Sequence, residues 1–136
     1  MSARRPQVPE DTVAHLRAIC LVLPETREEQ AWVGTRWRVR THTFAHVLML
    51  GDGWPPAYAR AAGTDGPACI LTFRSWDREF APPELAHPPF FRPGWFPDMV
   101  GMVMPAAVDW QGVASLLAMS YRVLAPKKLA DLIVEA

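Results

Sequence analysis

A net charge of either sign is missing from this chain. Fourteen acidic residues balance fourteen basic ones over 136 positions. Domains that bind nucleic acid over a broad surface usually have a pI above about 9, so zero net charge argues against such a footprint and leaves only local clusters. Lysine is almost absent: Lys127 and Lys128 are the only two, and the other twelve basic residues are arginine. A skew of this kind can arise from codon composition alone, which lowers the information in any single arginine. Cysteine is scarce as well. Cys20 and Cys69 lie far apart, each within an apolar pattern, as expected of buried free thiols in a reducing compartment and not of a disulfide framework. No uncharged run approaches the roughly 18 residues needed to span a bilayer. Arg4 and Arg5 are not followed at once by an apolar stretch, so no secretory signal is visible. The expected location is the cytoplasm, without a membrane partner.

Motifs of catalysis are also missing. The chain has no Gly-x-Ser-x-Gly elbow, phosphate loop, dinucleotide fingerprint or zincin helix. His42 and His46 flank an expected turn and strand, so they do not form the i, i+4 pair of a helical metal site. Cys20, Cys69, His15 and His87 show no ligand spacing. Ser120-Tyr121-Arg122 would look catalytic in isolation, but on a helix Tyr121 is expected to pack and hydrogen-bond locally. No catalytic residue, cofactor or metal is expected.

What the chain does have is one domain's worth of patterned apolar sequence. Residues 1–9 are expected to be a flexible arm and 10–136 a single domain. Pro9-Glu10-Asp11 suits a helix start, and Val13, Leu16, Cys20 and Leu23 recur at helical spacing until Leu23-Pro24 closes the element. Glu25 to Gln30 reads as a polar connector. Trp32 to Arg40 and Phe44 to Leu50 are expected strands around a Thr41-His42-Thr43 turn, and Pro55 to Ala62 a short helix. Cys69 to Phe73 and Met99 to Met104 are further strands. Ser75 to Pro97 holds six prolines and admits at most one short helical turn, around Pro83 to His87. Asp109 is a natural N-cap for an amphipathic helix to about Val123, and Pro126 opens a last one. The order reads as α+β: an antiparallel sheet of about four to five strands, packed by N-terminal and C-terminal helices in two layers.

The most informative run is Arg36-Trp37-Arg38-Val39-Arg40. On a strand, Trp37 and Val39 face a core while Arg36, Arg38 and Arg40 line the other face, about 6.7 Å apart. Such a ladder suits phosphate or acidic-partner contact, and equally a solvated face with cross-strand carboxylates. Lys127 and Lys128, in the first turn of the last helix, would add charge for an anion there or cover the carbonyls ending the preceding helix. A second feature is aromatic. Phe90-Phe91-Arg92-Pro93-Gly94-Trp95-Phe96-Pro97 is loop-like yet apolar, suited to a lid on the core, a pocket wall or an interaction patch.

Three stretches together resemble the MmcQ/YjbR family, in the family's order from about Glu10 to Ile133. They are the helix ending Leu21-Val22-Leu23-Pro24-Glu25, the hairpin Arg38-Val39…Phe44-Ala45, and the block Trp110…Ser120-Tyr121-Arg122-Val123-Leu124-Ala125-Pro126-Lys127-Lys128-Leu129. The resemblance implies a small two-layer fold similar to secretion chaperones and CyaY, and members are often labelled DNA-binding. It brings no catalytic residue set. Thr41-His42-Thr43 stands where many members have a Gly-Gly-Lys-like turn, and Val100-Gly101-Met102 where many have a Gly-Trp pair. The expected function is therefore that of a non-enzymatic binding module. Weak electrostatic DNA contact would run through Arg36, Arg38, Arg40, Arg122, Lys127 and Lys128. Alternatively, a protein, a second copy or a small apolar ligand would meet Phe90, Phe91, Trp95 and Phe96. The oligomeric state is not readable from the residues.

Overall fold

Alternation along Thr35-Arg36-Trp37-Arg38-Val39 sorts the side chains as expected. Thr35, Trp37 and Val39 are buried, while Arg36 and Arg38 are only partly so. The computed structural model describes residues 6–76, 85 and 87–133 and sets this run in a six-stranded antiparallel sheet. Its strands are β1 (Thr26–Gln30), β2 (Thr35–Val39), β3 (His42–Leu50), β4 (Ala68–Arg74), β5 (Phe90–Phe91) and β6 (Met99–Val103), in the order β1-β2-β3-β4-β6-β5. The described helices are α1 (Glu10–Cys20), α2 (Pro56–Ala62), α3 (Trp110–Leu124) and α4 (Lys127–Ala130). The class is α+β, with six strands where four to five were expected. None of the described helices is long and apolar enough to cross a membrane.

Each face of the sheet carries its own core. On the inner face Trp37, Val47, Leu71 and Val100 pack with Leu16 of α1 and with Leu117 and Tyr121 of α3. On the outer face Leu48, Leu50 and Ile70 meet Ala59 of α2 in a smaller cluster. Register keeps the two sets apart. Thr35, Val47 and Leu71 stand opposite one another on the inner side, and Arg36, His46 and Thr72 on the outer side. Because α2 covers only one end of the outer face, the other end is left for side chains that need not be apolar.

Register slips once between β2 and β3. Trp37 opposes Ala45 and Arg38 opposes Thr43, so Phe44 is an extra residue, a bulge. Its ring goes inward, edge-on to Tyr121 at 5.6 Å. Its carbonyl accepts a hydrogen bond from Ser120 Oγ at 2.7 Å, and the same hydroxyl accepts the Arg74 N–H at 2.8 Å. Tyr121 donates to the Pro24 carbonyl at 2.7 Å, a long-range bond and not the local one expected.

Several boundaries differ from the sequence expectation. Glu25 to Gln30 is largely strand, not connector. The segment pairs with β2 along its whole length because its polar side chains have partners: Thr26 Oγ1 donates to the carbonyls of Cys20 and Leu23, and Glu28 receives the Trp37 indole N–H at 2.9 Å. The first hairpin strand starts at Thr35, not Trp32, since Ala31 to Gly34 form a turn closed by Ala31 N–H on the Gly34 carbonyl at 3.0 Å. Gly34 is required there: its φ is +76° and a Cβ would lie 1.9 Å from the Val47 carbonyl oxygen. The next turn falls one residue early, so His42 already belongs to β3. α1 ends at Cys20, short of Leu23. Asp109 caps α3 as expected, accepting from the Gly112 N–H at 3.1 Å. The turn expected at Pro83 to His87 lies mostly outside the described residues. Of the N-terminal arm, Val8 packs against the inner core.

Candidate functional site

Cross-strand register puts one continuous row over the outer face, through all six strands: Glu29, Arg36, His46, Thr72, Gly101 and Phe91. Its middle is the floor of a groove of about 630 Å³. Arg36 enters from β2, His46 from β3, Tyr58 from α2, Thr72 and Arg74 from β4, and Phe96 from the loop before β6. Six positions from five separate segments of the chain therefore meet because strands alternate and α2 folds back over the sheet.

Most polar contacts here are settled by elementary chemistry. His46 Nε2 lies 2.6 Å from the Val33 carbonyl, and Tyr58 Oη lies 3.5 Å from His46 Nδ1. A carbonyl only accepts, so Nε2 carries the proton, and Nδ1 is left to accept from the tyrosine. Burial holds the His46 pKa below its ordinary 6.5; the Val33 hydrogen bond pulls upward, and the charge of Arg36 adds to the depression. The ring is thus neutral at pH 7. Tyr58 also meets Trp95 edge-on at 5.0 Å. Arg74 lies with its guanidinium 4.2 Å from the Phe96 ring centre and pairs with the buried carboxylate of Asp98 at 2.9 Å.

Carboxylates meet all three ladder arginines. Arg36 Nε and Nη2 both donate to Glu29 Oε1, at 3.1 and 2.9 Å. Arg38 Nη1 reaches the same oxygen at 3.4 Å, and Arg27 Nε takes Oε2 at 2.9 Å. One carboxylate therefore serves three guanidiniums, leaving this cluster two positive charges in excess. Hydrogen bonding from Arg27 first and then Arg36, against partial burial, pulls the Glu29 pKa down to about 2. Arg40 does not complete the ladder. It lies beyond the end of β2 with φ at +54°, and it pairs with Glu25 at 2.6 Å.

The other expected site residues are dispersed. Arg122 and Lys127 belong to the helical layer: Arg122 donates to the Ile133 carbonyl at 2.9 Å, and exposed Lys127 pairs with Asp131 at 2.7 Å, not with the carbonyls ending α3. Lys128 is exposed on α4. Phe90 and Phe91 fall on opposite faces because β5 alternates. Phe90 packs with the inner core, edge-on to Phe73 at 6.4 Å, and Phe91 joins the outer cluster. Trp95 and Phe96 remain 41% and 46% exposed, so this segment is not one patch. His46, Tyr58, Thr72 and Arg74 were not anticipated. His46 and Arg36 stand opposite each other across the hairpin, a relation that needs the register, which the bulge at Phe44 conceals in the sequence.

Two larger depressions are found among the described residues. One, of about 1020 Å³, runs along α3 past Ala118, Met119 and Arg122 and borders Trp76 and Ile133, both next to undescribed residues. The other, of about 790 Å³, lies between the N-terminal arm and Trp32. Among the described residues no three His, Cys, Asp or Glu side chains gather as a metal ion would require. Cys20 and Cys69 are unpaired thiols. Burial pushes Cys69 up to about 11 and Cys20 further still, so neither is activated as a nucleophile. No family model, curated protein or solved structure matches the chain.

Proposed function

We propose that this domain is a binding module of the MmcQ/YjbR type that takes a small ligand in the outer-face groove. The observation that carries this is the convergence of Arg36, His46, Tyr58, Thr72, Arg74 and Phe96 on one concavity. Ligand sites are commonly concave and largely apolar, with a few polar groups set to orient the guest. A cytoplasmic setting is supported by the two unpaired thiols. The test is a ligand screen by thermal shift, followed by amide shift mapping. Binding at the groove moves His46, Tyr58, Thr72 and Met99. Hits whose shifts cluster on α3 instead, or the absence of any hit, would overturn the assignment.

A second role, weak contact with DNA phosphates, is favoured by the charge excess around Glu29. The lysines of α4 do not share that face, and Arg40 is matched by Glu25. The footprint then reduces to Arg27, Arg36 and Arg38. Binding to duplex DNA should fall with salt, with a slope that drops by about one for each of these arginines replaced. Undetectable or salt-independent binding removes this role.

A further inference from the structure

We infer that the guest of this groove is a small organic anion with an apolar, ring-sized body, its charged end at Arg36 and its body against Tyr58 and Phe96. The inference rests on the groove being a ligand site and names the chemical class that fits it.

Charge is the first argument. The groove is lined by Arg36 and Arg74, and among the described residues no Asp or Glu lines it. The two arginines are not equivalent. Arg74 is matched by Asp98 at 2.9 Å and is held over Phe96, so its charge is already answered. Arg36 shares Glu29 with Arg27 and Arg38, and its Nη1 has no partner among the described residues. An anion at Arg36 would offset an excess that the fold itself leaves, through a charge-assisted bond. His46 adds no competing charge, being neutral at pH 7.

The walls are the second argument. The groove that Arg36 enters is also lined by Trp32, Val33, Pro55, Tyr58, Phe96 and Met99. A bare inorganic anion would forfeit those surfaces, and a polyanion would bring more charge than Arg36 answers, since it alone of the three arginines sharing Glu29 lines the groove. A cation is disfavoured by Arg36. One charge on an apolar body satisfies the two sets of contacts together.

The experiment pairs two probes that share an aromatic body. 8-Anilinonaphthalene-1-sulfonate carries a charge and N-phenyl-1-naphthylamine does not. Both are titrated by fluorescence into the native full chain, with the folded state of each variant checked by near-UV circular dichroism. The sulfonate should bind saturably at one site, and Arg36→Gln should weaken it by about tenfold, the loss of one charge-assisted contact. The same variant should leave the uncharged amine within about twofold, Arg36→Lys should retain most of the sulfonate binding, and Phe96→Ala should weaken both probes. If Arg36→Gln leaves sulfonate binding unchanged while Phe96→Ala abolishes it, the anion assignment fails and the groove stands. If neither probe binds, or if both bind but ignore Phe96→Ala, the groove itself is not the site and both conclusions fall.

Discussion

Ser120 holds two strands and a helix together through one hydroxyl. Pairing between β3 and β4 stops at Ala45 and Phe73, and just beyond it Ser120 Oγ bridges the two strands by donating to the Phe44 carbonyl and accepting from the Arg74 N–H. Ser120→Ala takes this partner from the buried Phe44 carbonyl and from the partly buried Arg74 N–H. It should lower the unfolding free energy by about 1–3 kcal/mol in a denaturant titration, without changing probe binding at the groove. Glu29 gives a prediction in pH. Its carboxyl is ordinary near 4.5 in the unfolded chain and sits at about 2 in the fold. A depressed carboxyl stabilises fully above its unfolded value, and that stability is lost as pH falls toward the folded one. The melting temperature gap between wild type and Glu29→Gln should therefore hold steady at neutral pH and narrow between pH 4.5 and about 2. A gap that widens on acidification would contradict the three-arginine arrangement.

Elements differed in how openly the sequence announced them. β2 was legible because Trp37 and Val39 alternate with arginines and both are fully buried. The start of α3 was legible because Asp109 is a capping residue ahead of an apolar stripe. β1 was not, since Thr-Arg-Glu-Glu-Gln has no apolar alternation to follow; its partners come from α1 and β2, through the pairs Arg17–Glu28 and Arg36–Glu29. β5 hid inside a proline-rich stretch and is only two residues long. Its place depends on β6: a Cβ on Gly101 would lie 2.3 Å from the Phe91 ring. Gly101→Val should therefore unseat β5, speed amide exchange at Val103, whose N–H is held by the Pro89 carbonyl at 2.8 Å, and cost about 1–3 kcal/mol. Unchanged exchange at Val103 would show that Phe91 is not what pins this edge.

Across the whole molecule the sheet separates two surfaces that the sequence could not separate. The arginines of β2 and the cations of α3 and α4 looked like parts of one basic patch while the chain was linear. The fold puts Arg36 and Arg38 on the outer face and Arg122 in the layer packed on the inner one. The aromatic segment is divided in the same way. Trp95 and Phe96 reach the outer groove next to Tyr58 and Arg74, and Phe90 goes to the opposite core. The candidate site was therefore half legible: its residue types were visible, and their grouping depended on register.

An open sheet must end somewhere, and β1 is one of its two ends. A terminal strand presents unpaired N–H and C=O groups that another chain can adopt, so exposed edges invite aggregation unless they are made unwelcoming. β1 answers with three successive charged residues, Arg27, Glu28 and Glu29, while β5 limits the opposite edge to two residues. The charge pattern that gathers three guanidiniums on Glu29 therefore also acts as a gatekeeper against edge-to-edge association. Replacing Arg27 and Glu29 together by valine should produce concentration-dependent oligomers in sedimentation velocity that exceed any formed by the parent chain.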